Sequence, residues 1–147
     1  MMRSEAMHSK MPELAGDLQR LVYVPVSVGE LVDKITILEI KSERISDPQK
    51  LDHIRLELKL LRDAWDERGG PRLGLDKVIN ELKRTNESLW VIEDDIRDCE
   101  RQKEFGQRFL DLARAVYQKN DRRFKLKRKI NESAGSSLIE EKSYSGY

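Results

Sequence analysis

From Val28 onward the apolar residues recur at alternating spacings of three and four, and that rhythm leaves few folds open. Val28, Leu31, Ile35, Leu38, Ser42 and Ile45 form one series, and Leu51, Ile54, Leu58, Leu61 and Trp65 a second. A third runs through Leu75, Val78, Leu82, Thr85, Leu89, Ile92, Ile96 and Cys99. Residues spaced in this way share one helical face, so each series predicts a helix with a coiled-coil-like seam. A fourth stretch holds Phe105, Phe109, Leu112, Ala113, Val116, Tyr117, Phe124 and Ile130. Charged residues make up 37% of the chain, and a helix can solvate them all on the face opposite its apolar stripe.

The boundaries have local causes. Ser27-Val-Gly-Glu30 fits a capping box, and Asp47-Pro48 supplies an N-cap followed by a proline in the first helical position. Gly69-Gly70-Pro71, Gly106 and Gly135 interrupt the later periodicity. The helices are therefore expected over about 27–45, 48–68, 75–104 and 107–134. Short links favour antiparallel neighbours. The expected fold is all-α: an elongated antiparallel four-helix bundle or pair of helical hairpins. Residues 20–147 are read as one domain behind a flexible leader, 1–19. Arg20 to Val26 is β-branched and aromatic but contains Pro25, so it is expected to be a short extended arm packed on a helix or on another subunit. The tail, 136–147, carries Leu138, Ile139, Tyr144 and Tyr147 and is expected to dock.

Several function classes find no support. Lys plus Arg number 28 against 27 for Asp plus Glu, a net charge of +1 that argues against a dedicated nucleic-acid binder. No apolar run approaches a membrane span. Cys99 is alone, which excludes an intrachain disulfide or a multi-cysteine zinc site; it is read as a reduced, half-buried thiol. His8 and His53 have no second histidine or cysteine one turn away. A glycine-rich phosphate loop, a nucleophile elbow and a His-Glu metal motif are all missing. No cofactor or metal is expected, the location is expected to be cytoplasmic, and no enzyme class can be assigned.

Two charged stretches stand out. Glu93, Asp94, Asp95, Asp98 and Glu100 face only Arg97 in sequence, and Asp94 and Asp98 lie one turn apart, as hard-cation ligands would. A solvated acidic face is the stronger reading. Lys119 to Lys129 holds seven basic residues against Asp121. If the third and fourth helices form a hairpin about Gly106, the two stretches come alongside and neutralise each other. Glu39 and Glu43 stand one turn apart near Lys41. The candidate ligand set is Glu39, Lys41, Glu93, Asp94, Arg97, Asn120, Asp121 and Arg123. If these residues form a ligand site, Arg123 is expected to be held away from full neutralisation, ready for an anion; if they only hold two helices together, they are exposed ion pairs, and in either case Arg123 is expected to be dispensable to the fold. Trp65 and Trp90 are read as core or seam residues. The favoured role is a binding or assembly module that self-associates as a homodimer. The alternative is an enzyme or sensor acting on a small phosphorylated ligand, a nucleotide or sugar nucleotide, with a divalent cation.

Three segments together resemble a known family: Val24-Pro-Val-Ser-Val-Gly-Glu-Leu-Val-Asp-Lys-Ile-Thr-Ile-Leu-Glu-Ile-Lys41, Leu89-Trp-Val-Ile-Glu-Asp-Asp-Ile-Arg97, and Asn120-Asp-Arg-Arg123 with Lys127-Arg-Lys-Ile-Asn131 and Glu140-Glu-Lys-Ser-Tyr144. The set is similar to short uncharacterised bacterial and phage proteins catalogued as a domain of unknown function, over about 24–147. The resemblance implies a complete domain with Met1 to Leu21 outside it, and no activity or residue role.

Overall fold

The computed structural model describes residues 20–147, so the expected leader over 1–19 lies outside the described residues. Four helices follow one another: α1 (Val28–Arg44), α2 (Pro48–Glu67), α3 (Asp76–Gln102) and α4 (Gln107–Ala134). A 3-10 turn, Gly70–Leu73, joins α2 to α3. There is no strand among the described residues, and the fold is all-α.

Local chemistry sets the helix ends. Ser27 Oγ accepts the Glu30 N–H at 3.1 Å, and Asp47 Oδ1 accepts the Lys50 N–H at 2.9 Å. Each side chain satisfies an amide that has no carbonyl partner in the first turn. Helix α3 stops where Lys103 turns left-handed at φ 56°, and α4 stops at Gly135, φ 64°. The α1 N-terminus is also capped from across the fold. Asn131 Oδ1 accepts the Gly29 N–H at 2.6 Å, and Ser136 Oγ accepts the Val28 N–H at 3.2 Å.

Helix α1 is central and touches α2, α3 and α4. Its Ile35 and Leu38 pack with Ile54 and Leu58 of α2. Val32 packs on the α3–α4 hairpin, among Val78, Leu82, Leu126 and Ile130. Trp65 borders both clusters, and the backbone at Gly70 lies so close to its indole that a Cβ there would stand 2.1 Å from the ring. Helices α1 and α4 also meet closely: a Cβ at Gly29 would lie 2.5 Å from the Lys127 carbonyl oxygen. Cys99 is fully buried rather than half-buried.

The arm is unevenly covered, with Leu21 39% and Val26 42% exposed. Val22 is 86% exposed and Val24 66%, and the segment is extended without strand pairing. The tail lies against α4. Glu141 pairs with Arg128, and Tyr147 packs edge-on against Tyr117 while its hydroxyl donates to Asp121 at 2.8 Å.

Candidate functional site

The periodicity that builds the core also carries polar residues into it. On α1, Gly29, Asp33, Thr36 and Ile40 follow a four-three-four spacing and are all buried. Asn86 of α3 and Lys127 and Asn131 of α4 are buried as well. A buried polar group is costly unless paired. Asp33, Thr36, Asn86 and Lys127 are linked to one another, while Asn131 Oδ1 takes the Gly29 N–H and its Nδ2 has no partner among the described residues.

Asp33 sits at the centre and is 1% exposed. Arg123 grips it with two parallel bonds, Nε to Oδ1 at 3.0 Å and Nη2 to Oδ2. The Asn86 amide donates both to Asp33 Oδ1 at 2.9 Å and to Thr36 Oγ1 at 3.0 Å. The Thr36 hydroxyl donates to the Asp33 backbone carbonyl oxygen at 2.8 Å. Lys127 stands 3.9 Å from Asp33 Oδ2 and pairs with Glu30 at 2.7 Å and Glu140 at 2.6 Å. Three helices and the tail thus share one charge network. The hydrogen bond to Asp33 is the main reason that the Arg123 guanidinium holds its proton more tightly than usual, against the opposing effect of burial. For Lys127 burial is the largest single influence and works against the charge, yet the bonds to Glu140 and Glu30 outweigh it and raise the pKa.

The network opens on a groove of about 510 Å³ between α1, α3 and α4. Ile37, Ile40, Leu89 and Trp90 supply apolar walls. Asn86, Glu93, Asp94, Arg97, Asn120 and Arg123 supply the polar lining. Five of the eight residues proposed from sequence therefore meet here: Glu93, Asp94, Arg97, Asn120 and Arg123. The other three do not. Glu39 turns to Arg62 and Lys83, Lys41 does not line the groove, and Asp121 borders a second cavity under the tail with Tyr117, Phe124, Lys142 and Tyr147.

The pairing of charges departs from expectation. The basic stretch of α4 does not neutralise Glu93 to Glu100. Arg122 reaches Glu81, Arg123 reaches Asp33, and Arg128 reaches Glu132 and Glu141. The acidic stretch is served by Arg97, Arg101 and Arg108. The reason is register: the turn at Lys103 places Arg108 beside Asp98 and Arg122 beside Glu81. Arg123 is also not a free cation, since a buried carboxylate occupies its best donor edge. Asp94 and Asp98 diverge in role, Asp94 lining the groove while Asp98 holds Arg101, Gln102 and Arg108. Among the described residues no three His, Cys, Asp or Glu side chains cluster as metal ligands would.

Sequence reasoning missed Asp33, Asn86 and Lys127. The available signal was a charged or amide residue at seam spacing: Asp33 lies four after Gly29 and three before Thr36, and Lys127 lies four after Arg123.

Residues 22–147 match a family of unknown function, DUF6165. No curated protein and no solved structure matches the chain. No helix among the described residues is long and apolar enough to cross a membrane.

Proposed function

This chain belongs to the DUF6165 family, and we propose that it is a helical binding module whose ligand site is the groove between α1, α3 and α4. One observation carries the reading: Arg123, held by the buried Asp33 behind it, forms part of the groove's wall. Apolar side chains of similar volume in its place would hold the helices together at least as well, because desolvating an ion pair consumes most of its attraction. The pair instead fixes a guanidinium in one orientation beside an open cavity. Its Nη1 makes no hydrogen bond among the described residues. A pre-oriented donor beside an aromatic ring and an amide is the usual make-up of a small-molecule site. A phosphorylated ligand draws less support, since both groove arginines already face carboxylates, Arg123 facing Asp33 and Arg97 facing Glu93. The test is a thermal-shift screen of small metabolites on the wild type and on Asn120→Trp, which adds bulk at a residue lining both the groove and the cavity under the tail. A ligand at 100 times its Kd should add about 2.7 kcal/mol to the wild type and nothing to the variant. Equal stabilisation of both would remove the groove as the site.

Self-association is a second reading, favoured by the exposed apolar arm, where Val22 is 86% and Val24 66% exposed. An extended apolar segment with unpaired backbone groups invites pairing. Light scattering should show a dimer for the full chain and a monomer for a chain starting at Ser27. Equal masses for the two would end this reading.

A further inference from the structure

We infer that the groove holds a neutral, hydroxyl-rich ring, a sugar unit, seated against Trp90. The inference rests on the groove being a ligand site and names the chemistry that it selects. Charge is the first argument. Arg123 is matched by Asp33 and Arg97 by Glu93, and Asp94 has no cationic partner among the described residues. A free anion therefore meets no uncommitted cation in the lining.

Hydrogen-bonding capacity is the second argument. A phosphate needs donors alone and an ammonium needs acceptors alone, whereas each sugar hydroxyl both donates and accepts. The lining is mixed. Arg123 Nη1 can donate, Asp94 can accept, and the Asn120 amide can do both. Asn86 has spent its Nδ2 protons on Asp33 and Thr36, which leaves Oδ1 to accept. The third argument is the apolar wall. The C–H face of a pyranose is flat and weakly polar, and an indole flanked by Ile37 and Leu89 offers it a surface of the same kind. At about 510 Å³ the groove lies within the size range of small-molecule sites.

The experiment follows the indole N–H resonances of Trp65 and Trp90 in the full chain, assigned with Trp90→Phe. The probes are glucose, galactose, mannose and N-acetylglucosamine, then inorganic phosphate, then tetramethylammonium. At least one sugar should shift the Trp90 resonance saturably and leave Trp65 unmoved, and neither ion should do so. Asn120→Ala, on the rim and outside the core, should weaken that sugar by about three- to tenfold. Saturation at Trp90 by phosphate or tetramethylammonium with no response to sugars overturns the sugar assignment and leaves the groove standing. Silence of Trp90 towards every probe overturns the sugar assignment; if Asn120→Trp also fails to abolish stabilisation in the metabolite screen, the groove falls with it. An unchanged affinity in Asn120→Ala also counts against the sugar pose.

Discussion

Arg123→Ala is the substitution on which sequence and structure disagree most. From sequence, Arg123 is a surface cation whose loss leaves the fold intact. In the structure its removal strands the Asp33 carboxylate, which is 1% exposed. Two charge-assisted bonds disappear, one of them the 3.0 Å contact from Nε, and among the described residues the Asn86 amide and the more distant Lys127 remain to favour the charge. Breaking a buried pair from one side costs about 3–5 kcal/mol. The Arg123 side chain is 30% exposed, so water can enter the space that it leaves, and the lower end applies. The expected loss is about 3 kcal/mol, or roughly 10 °C in Tm for a domain of this size. Urea unfolding at fixed protein concentration measures it. Adding Asp33→Asn to Arg123→Ala should recover part of the loss, with a coupling of about 1–3 kcal/mol between the two sites. A single-variant loss below about 1 kcal/mol, the level of an exposed surface pair, would refute the reasoning.

Leu58→Ala, at a residue 6% exposed between α1 and α2, should cost about 2–5 kcal/mol in the same assay, and an unchanged midpoint would show that this seam is not core. Gly29→Ala forces a methyl to within 2.5 Å of the Lys127 carbonyl and should cost about 1–3 kcal/mol; a neutral result would mean that α1 and α4 can separate freely. Lys127→Met tests the network's pH dependence. Because the folded pKa of Lys127 lies above its ordinary 10.5, its stabilisation is complete below that value and is lost as pH rises through the folded pKa. The stability gap between wild type and Lys127→Met should therefore narrow above about pH 10.5, and a gap that is constant from pH 8 to 11 would contradict the assignment.

The helices were legible because their causes are local. Ser27, Asp47-Pro48 and the Gly69-Gly70 break act within a few residues, and the seam periodicity needs no partner to be read. The polar centre was less legible because Asp33, Asn86 and Arg123 come from three helices, and only the register of the α3–α4 hairpin and the close approach at Gly29 bring them together. Charge run against charge run looked sufficient in sequence. It failed because Arg97 found an acid on its own helix, Arg123 one on α1, Arg128 one in the tail, and Arg122 reached Glu81, upstream of the acidic run on α3. Glu93, Asp94, Arg97, Asn120 and Arg123 could be grouped in advance because two hairpin helices must bring one stretch of each together. Lys41 and Glu39 had no such constraint, and Glu39 is held by Arg62 and Lys83.

The claim that the groove between α1, α3 and α4 is the ligand site is tested most directly by methyl chemical-shift mapping. Isoleucine-labelled protein is exposed to a fractionated small-molecule extract, without any assumption about ligand class. The account predicts that Ile37 and Ile40, which line the groove, shift together while Ile54 in the α1–α2 core stays in place. Shifts confined to Ile54 or to Ile139 in the tail, with Ile37 and Ile40 unmoved, would contradict it.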